Sequence, residues 1–163
     1  MKISIRKGFG FGLTSGIITT LGLIIGLAAG THSRLAVIGG ILTIAFADGL
    51  SDSLGIHISE ESTQKGKSNK RDRKKIWEST FSTLFSKIFF ALTFLIPVLF
   101  FSLNTAVIIS VLWGLSLIIF FSYYIAKNNK SKPSSVIAEH FIITMIVIIL
   151  SKIIGYLIAN YIT

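Results

Sequence analysis

Five apolar stretches, at about 9–30, 35–58, 80–101, 105–126 and 136–162, take up most of this sequence. Each reaches the ~20 residues needed to cross a ~30 Å hydrocarbon layer. Oil satisfies no amide, so a chain placed there has to coil each stretch into a helix. The predicted fold class is all-α: a single polytopic membrane domain over 1–163 with five transmembrane helices. The mean hydropathy of +0.75, and 52% hydrophobic residues against 14% charged, agree with this, because soluble domains are less apolar and spread their charge more evenly. No cysteine is present, which excludes disulfides and thiolate metal sites. The first stretch follows Lys2, Arg6 and Lys7 and ends in Ala28-Ala29-Gly30, as a secretory leader does. Phe9 to Gly30 is 22 residues, however, longer than a leader's apolar region of about 7–15, so it is expected to stay as the first helix.

Basic residues set the expected orientation. Lys2, Arg6 and Lys7 precede helix one; Lys65, Lys67, Lys70, Arg71, Arg73, Lys74 and Lys75 fill the 59–79 connection; Lys127, Lys130 and Lys132 follow helix four. The opposite side carries only Arg34, which predicts a cytoplasmic N-terminus and an external or lumenal C-terminus. The net charge of +9 is thereby explained by topology, and no nucleic-acid partner is expected. The basic loop, flexible in composition, should attract anionic lipid. Lys87 and Lys152 lie inside or near the ends of spans, where snorkelling accounts for both. The host bilayer is the plasma membrane in a prokaryote and an organelle membrane in a eukaryote.

Helix two, Gly39 to Ser62, reads GGILTIAFADGLSDSLGIHISEES. Asp48 and Asp52 lie in its inner part, where a carboxylate costs about 2.5–3.5 kcal/mol to insert. One turn apart on a helix, their Cβ atoms are about 6 Å from each other, and in a dry site such a pair shares a proton or a cation. At about 100° per residue, Asp48, Ser51, Asp52, Gly55 and Ser59 form one polar stripe that leads to Glu60 and Glu61. The predicted cation ligands are Asp48, Asp52, Ser51, Ser59, Glu60 and Glu61. His57 falls about 180° from Asp48 and is expected to bond backbone or a lipid headgroup instead.

Helix one carries two glycine ladders, Gly8, Gly12, Gly16 and Gly22, Gly26, Gly30, each on one face. Such faces admit close helix approach, so the ladders are expected to serve helix packing or a dimer interface. Helix three carries Phe81, Phe85, Phe89, Phe90 and Phe94 as an expected aromatic packing face, with Pro97 as a kink. Helix four is almost featureless, and helix five ends in Tyr156, Asn160 and Tyr161, which suit an interface.

The first two helices resemble the vacuolar iron transporter family. The likeness rests on Gly12-Leu13-Thr14 followed by Gly22 to Gly30, and on Ala47 to Ser62, where Gly49, Ser51, Gly55, Ser59 and Ser62 match the family's small residues. Thr80-Phe81, Phe85 and Ile96-Pro97 extend it weakly into helix three. The resemblance implies five helices, a homodimer, no tightly bound cofactor, and divalent cations such as Fe²⁺ or Mn²⁺ as cargo, exchanged in the better-known members for protons. The chain departs from the family at its ligands. Phe11 stands where an aspartate is usual, Asp52 where a methionine follows the serine, and Ile44 where some members carry an acid. The glutamate-rich cytoplasmic domain is replaced by a short basic loop with Glu60, Glu61 and Glu78 beside it. Asp48 then substitutes for the missing helix-one acid. Exchanging a thioether for carboxylates favours harder ions such as Mg²⁺, Mn²⁺ or Ca²⁺.

Enzymatic readings fail on the acids available. The Asp48-x-x-x-Asp52 spacing is similar to a fragment of the CDP-alcohol phosphatidyltransferase motif, which needs four acids around two metals. An intramembrane aspartyl protease needs aspartates on two helices, and only helix two has them. The sequence therefore predicts a membrane transporter of divalent metal cations, not an enzyme. The rival reading is a non-transporting scaffold or regulatory relative whose aspartates fix helix packing.

Overall fold

The computed structural model describes residues 2–63 and 69–161; Lys65, Gly66 and Lys67 of the basic loop lie outside the described residues. Every regular element among those described is helical. Five of the helices are long and apolar enough to cross a membrane: α1 (Ile3–Thr31), α2 (Arg34–Ser62), α3 (Lys70–Phe100), α4 (Leu103–Asn128) and α5 (Pro133–Tyr161). This is consistent with an integral membrane protein.

The helices overrun the apolar stretches because their ends are capped. The expected 59–79 loop shrinks: α2 continues to Ser62 and α3 already begins at Lys70. Asn69 Oδ1 accepts the amides of Arg71 and Asp72, each at 3.0 Å, an N-cap that starts α3 in polar sequence. Lys75 pairs with Asp72 one turn back at 3.0 Å. Pro133 opens α5, where its missing N–H costs nothing. α1 ends with His32 in the left-handed region (φ 50°), and Ser33 Oγ caps α2 by accepting the Ala36 amide at 3.2 Å. α4 ends similarly: Lys130 has φ 55° and the Ser131 amide reaches Ala126 O at 3.0 Å, a Schellman closure. α3 is interrupted at Phe94, where Pro97 can offer no N–H to the Thr93 carbonyl. Arg34 caps the far end of α3, donating from Nε to Val98 O at 2.6 Å and from Nη2 to Leu99 O.

The chain divides into two compact units, Met1–Gly16 with Leu42–Thr93, and Ile17–Ile41 with Phe94–Thr163. In the first, α1 runs parallel to α3. A Cβ on Gly8 would collide with Ser79 O, and one on Gly12 with Ser86 Oγ and Thr83 O. Hydroxyls of α3 fill this seam: Ser82 Oγ donates to Ile5 O at 2.9 Å and Thr83 Oγ1 to Gly8 O at 3.1 Å. In the second unit, Gly22, Gly26 and Gly30 lie against Val147, Ser151 and Gly155 of α5. Both ladders are thus consumed within one chain. Of the two roles expected for the ladders, helix packing is the one seen here: their bare backbone lies against α3 and α5.

The aromatic face of α3 also needs correction. Phe90 and Phe94 are buried, but Trp77, Phe81, Phe85 and Phe89 form an exposed row, with Trp77 stacked on Phe81 at 5.3 Å between ring centroids. The packed side of α3 is instead Ser79, Thr80, Thr83 and Ser86. Large apolar rings are at home in lipid, whereas small hydroxylated residues let backbones approach.

Two alanine substitutions test this seam. Gly12→Ala is expected to destabilise the protein by about 1–3 kcal/mol, the cost of overpacking. Gly10→Ala, with nothing within 4 Å of its new methyl, is expected to stabilise by roughly 0.5–1 kcal/mol. Unfolding of both variants in detergent checks the contrast; equal effects would remove the close approach of α1 to α3.

Candidate functional site

α2 does not wind evenly past its acids. It consists of Arg34–Thr43, a π-helical turn over Ile44–Asp48, and Gly49–Ser62. Wide turns of this kind concentrate at functional sites. Gly49 follows at once and comes close to α3: a Cβ there would lie 3.3 Å from Ile88 Cγ1. The antiparallel α2 and α3 are therefore in near contact where Asp48 emerges.

Opposite stands Lys87 of α3, whose side chain is 1% exposed and heads the fully buried residues by volume. Its Nζ donates to Asp48 Oδ2 at 2.5 Å, to Asp52 Oδ2, and to Ser15 Oγ of α1 at 3.0 Å. Ser15 Oγ donates onward to Asp52 Oδ2 at 2.6 Å. An ammonium has three protons, and here three oxygens from two other helices take them. Gly16 makes room for this: a Cβ there would lie 3.2 Å from Lys87 Cα and 3.3 Å from its Cγ. Gly16 thus admits the lysine's backbone and stem while its neighbour Ser15 meets the head.

The two carboxylates keep more surface than the lysine. The Asp48 side chain is 33% exposed and that of Asp52 21%. On the 100° count, Gly49, Ser53, Ile56 and Glu60 mark the packed face of α2, and the aspartates sit on its shoulder. The site therefore has a buried cation on one side and two accessible anions on the other, with a formal charge of −1.

The rest of the predicted set does not converge here. Ser51 and Ser59 are exposed, Ser51 turned further from the packed face and Ser59 on the aspartates' shoulder but about two turns beyond Asp52, and Glu61 is exposed as well. Glu60 pairs with Lys7 of α1. Among the described residues no group of three or more His, Cys, Asp or Glu is arranged to hold a metal. The acidic pair stands with a lysine and a serine that the sequence reading did not assign to it. Snorkelling is the wrong account of Lys87: its stem turns inward because the acids, not the aqueous boundary, receive its charge. Its position well inside an apolar span was the available signal. Ser15 offered none beyond adjacency to Gly16.

His57 is placed elsewhere, as its angle suggested, but not with the expected partner. Its Nδ1 lies 2.9 Å from Thr80 Oγ1, and its ring meets Trp77 edge-on at 4.8 Å. Thr80 spends its one hydroxyl proton on Ile76 O at 2.8 Å, so the proton shared with His57 sits on Nδ1. Thr80 is about two turns from Lys87 along α3, which separates this pair from the acids. Nearer the chain start, Glu78 accepts from Lys2 Nζ at 2.6 Å and from Ser4 Oγ at 2.7 Å.

Lys87→Met is expected to destabilise the protein by about 3 kcal/mol, the low end for an orphaned buried ion pair, because the acids are only part-buried. Adding Asp52→Asn should recover part of that loss. A double-mutant cycle on thermal unfolding measures the coupling, and additive effects would argue against the contact. Comparison with protein families, with curated proteins and with solved structures finds no match, so the reading of this site rests on its own residues and geometry.

Proposed function

We propose that this chain is a membrane transporter of divalent metal cations, of the iron or manganese type, working through Asp48 and Asp52. The observation that carries this reading is the convergence of both carboxylates on a single buried cation, Lys87 Nζ. Ionisable groups inside an apolar span mark ion pathways by default. This one surrounds a point that already accommodates a positive charge with two carboxylates and a hydroxyl. The partial exposure of Asp48 and Asp52 supports access for an ion from that flank. An all-oxygen donor set suits hard ions, so within the cargo implied by the resemblance to vacuolar iron transporters it favours Mn²⁺ over Fe²⁺. The distribution of Lys and Arg supports a cytoplasmic N-terminus and an external or lumenal C-terminus. Five spans in one chain leave little room for a pore, which supports a homodimer, joined through surfaces other than the glycine ladders.

One observation favours a second reading. All three protons of the Lys87 ammonium are taken, so the cluster serves equally as a pin that locks α2 to α1 and α3. In that case the protein is a non-transporting scaffold. A ligand bound to the folded state raises stability by about 2.7 kcal/mol at a hundredfold excess over its Kd. Concentration-dependent protection of the purified protein by Mn²⁺ belongs to a transporter; a flat response belongs to a pin.

Uptake of Mn²⁺ into proteoliposomes tests the transport reading directly. Asp48→Asn and Asp52→Asn are each expected to lower it about ten- to a hundredfold, the equivalent of one charged ligand. Unchanged uptake in both variants would refute it.

A further inference from the structure

We infer that Lys87 is a tethered stand-in for the cargo: its ammonium occupies the position between Asp48, Asp52 and Ser15 at rest, and a divalent ion loads only by displacing it. The inference deepens the transport reading and rests on it. Three observations carry it. The first is occupancy. Lys87 Nζ sits within bonding reach of Asp48 Oδ2, Asp52 Oδ2 and Ser15 Oγ. A metal of the proposed kind bonds oxygens at about 2.0–2.6 Å, so it needs the same point, and the two cannot hold it together.

The second is charge. With the ammonium in place the cluster carries −1; a divalent ion added beside it would make the cluster +1 in an apolar span. If the ammonium withdraws, two carboxylates and one divalent ion are neutral. The desolvation cost of buried charge selects this arrangement once the displaced ammonium reaches water, the movement that labelling of Lys87 reports. The third is mechanical. Lysine carries its charge on a flexible four-carbon stem, and Gly16 lets that stem lie along α1 without a side chain in its way. Ser15 becomes the hydroxyl ligand in place of Ser51 and Ser59, which are exposed.

Displacement leaves a trace that a fixed structural pin does not. In the full-length protein in lipid nanodiscs, Lys87 is expected to resist reductive methylation without metal and to gain reactivity as Mn²⁺ is added, read as the mass of its peptide. Lys127, exposed in the last turn of α4, is the internal control and should not change. Lys87→Gln, which frees both carboxylates, is expected to bind Mn²⁺ at least about tenfold more tightly, the low end for close charge pairs. Metal-dependent reactivity of Lys87 supports the inference even if Lys87→Gln fails to fold. If wild-type protein binds Mn²⁺ through Asp48 and Asp52 while Lys87 stays protected, displacement is overturned and the transport reading stands. If neither wild type nor a folded Lys87→Gln binds Mn²⁺, both fall together.

Discussion

A lysine buried to 1% in the wall of an apolar helix is the constraint around which one half of this molecule is arranged. Moving an ammonium out of water costs several kcal/mol even after relaxation. One carboxylate at about 4 Å returns about 4 kcal/mol at an effective dielectric of 20. A single partner would at best break even, and each carboxylate brings a desolvation cost of its own, so the burial depends on every ammonium proton finding an oxygen. The acids depend on the lysine in the same way, since two negative charges one turn apart repel without it. Asp48, Asp52 and Lys87 are therefore one object, and none of the three has a reason to be inside the span without the others.

Holding that object together requires three helices at unusually short range. Gly8, Gly12 and Gly16 bring the α1 backbone onto α3, and Gly49 brings α2 onto the same helix beside the acids. Hydroxyls on α3 bond across the seam or back onto their own carbonyls, and Thr83 shares its one proton between Gly8 O and Ser79 O. Each such bond is modest, of order 1 kcal/mol, but together with the missing glycine side chains they fix the depth at which Lys87 meets Asp48. Packing thus sets the geometry, and charge merely exploits it.

Much of this was legible in the residues. The number of helices long and apolar enough to cross a membrane follows from apolar length. The glycine spacing marks close approach, although spacing alone does not say to which helix. The acids announce themselves by their cost. What remained hidden was the partner. Lys87 has a long stem, and a sequence does not tell whether such a stem runs along the helix to water or across it to another chain segment. The aromatic residues misled for a related reason. In a soluble protein Phe81, Phe85 and Phe89 would face the core, but beside lipid the same rings face outward, and the core goes to serine and threonine. Ser51 and Ser59 share a stripe with the acids, yet Ser51 turns away from the packed face centred on Gly49, Ser53 and Ile56, and Ser59 lies about two turns further along α2 than Asp52.

The wide turn at Ile44–Asp48 gives α2 one more residue than its rise demands. A surplus of that kind is stored as girth rather than length. The stretch before it and the stretch after it are out of phase by about one residue's rotation, near 100°. The surplus residue thereby sets the bearing from which Asp48 and Asp52 leave the helix, and without it both acids would point about 100° away from where they now stand.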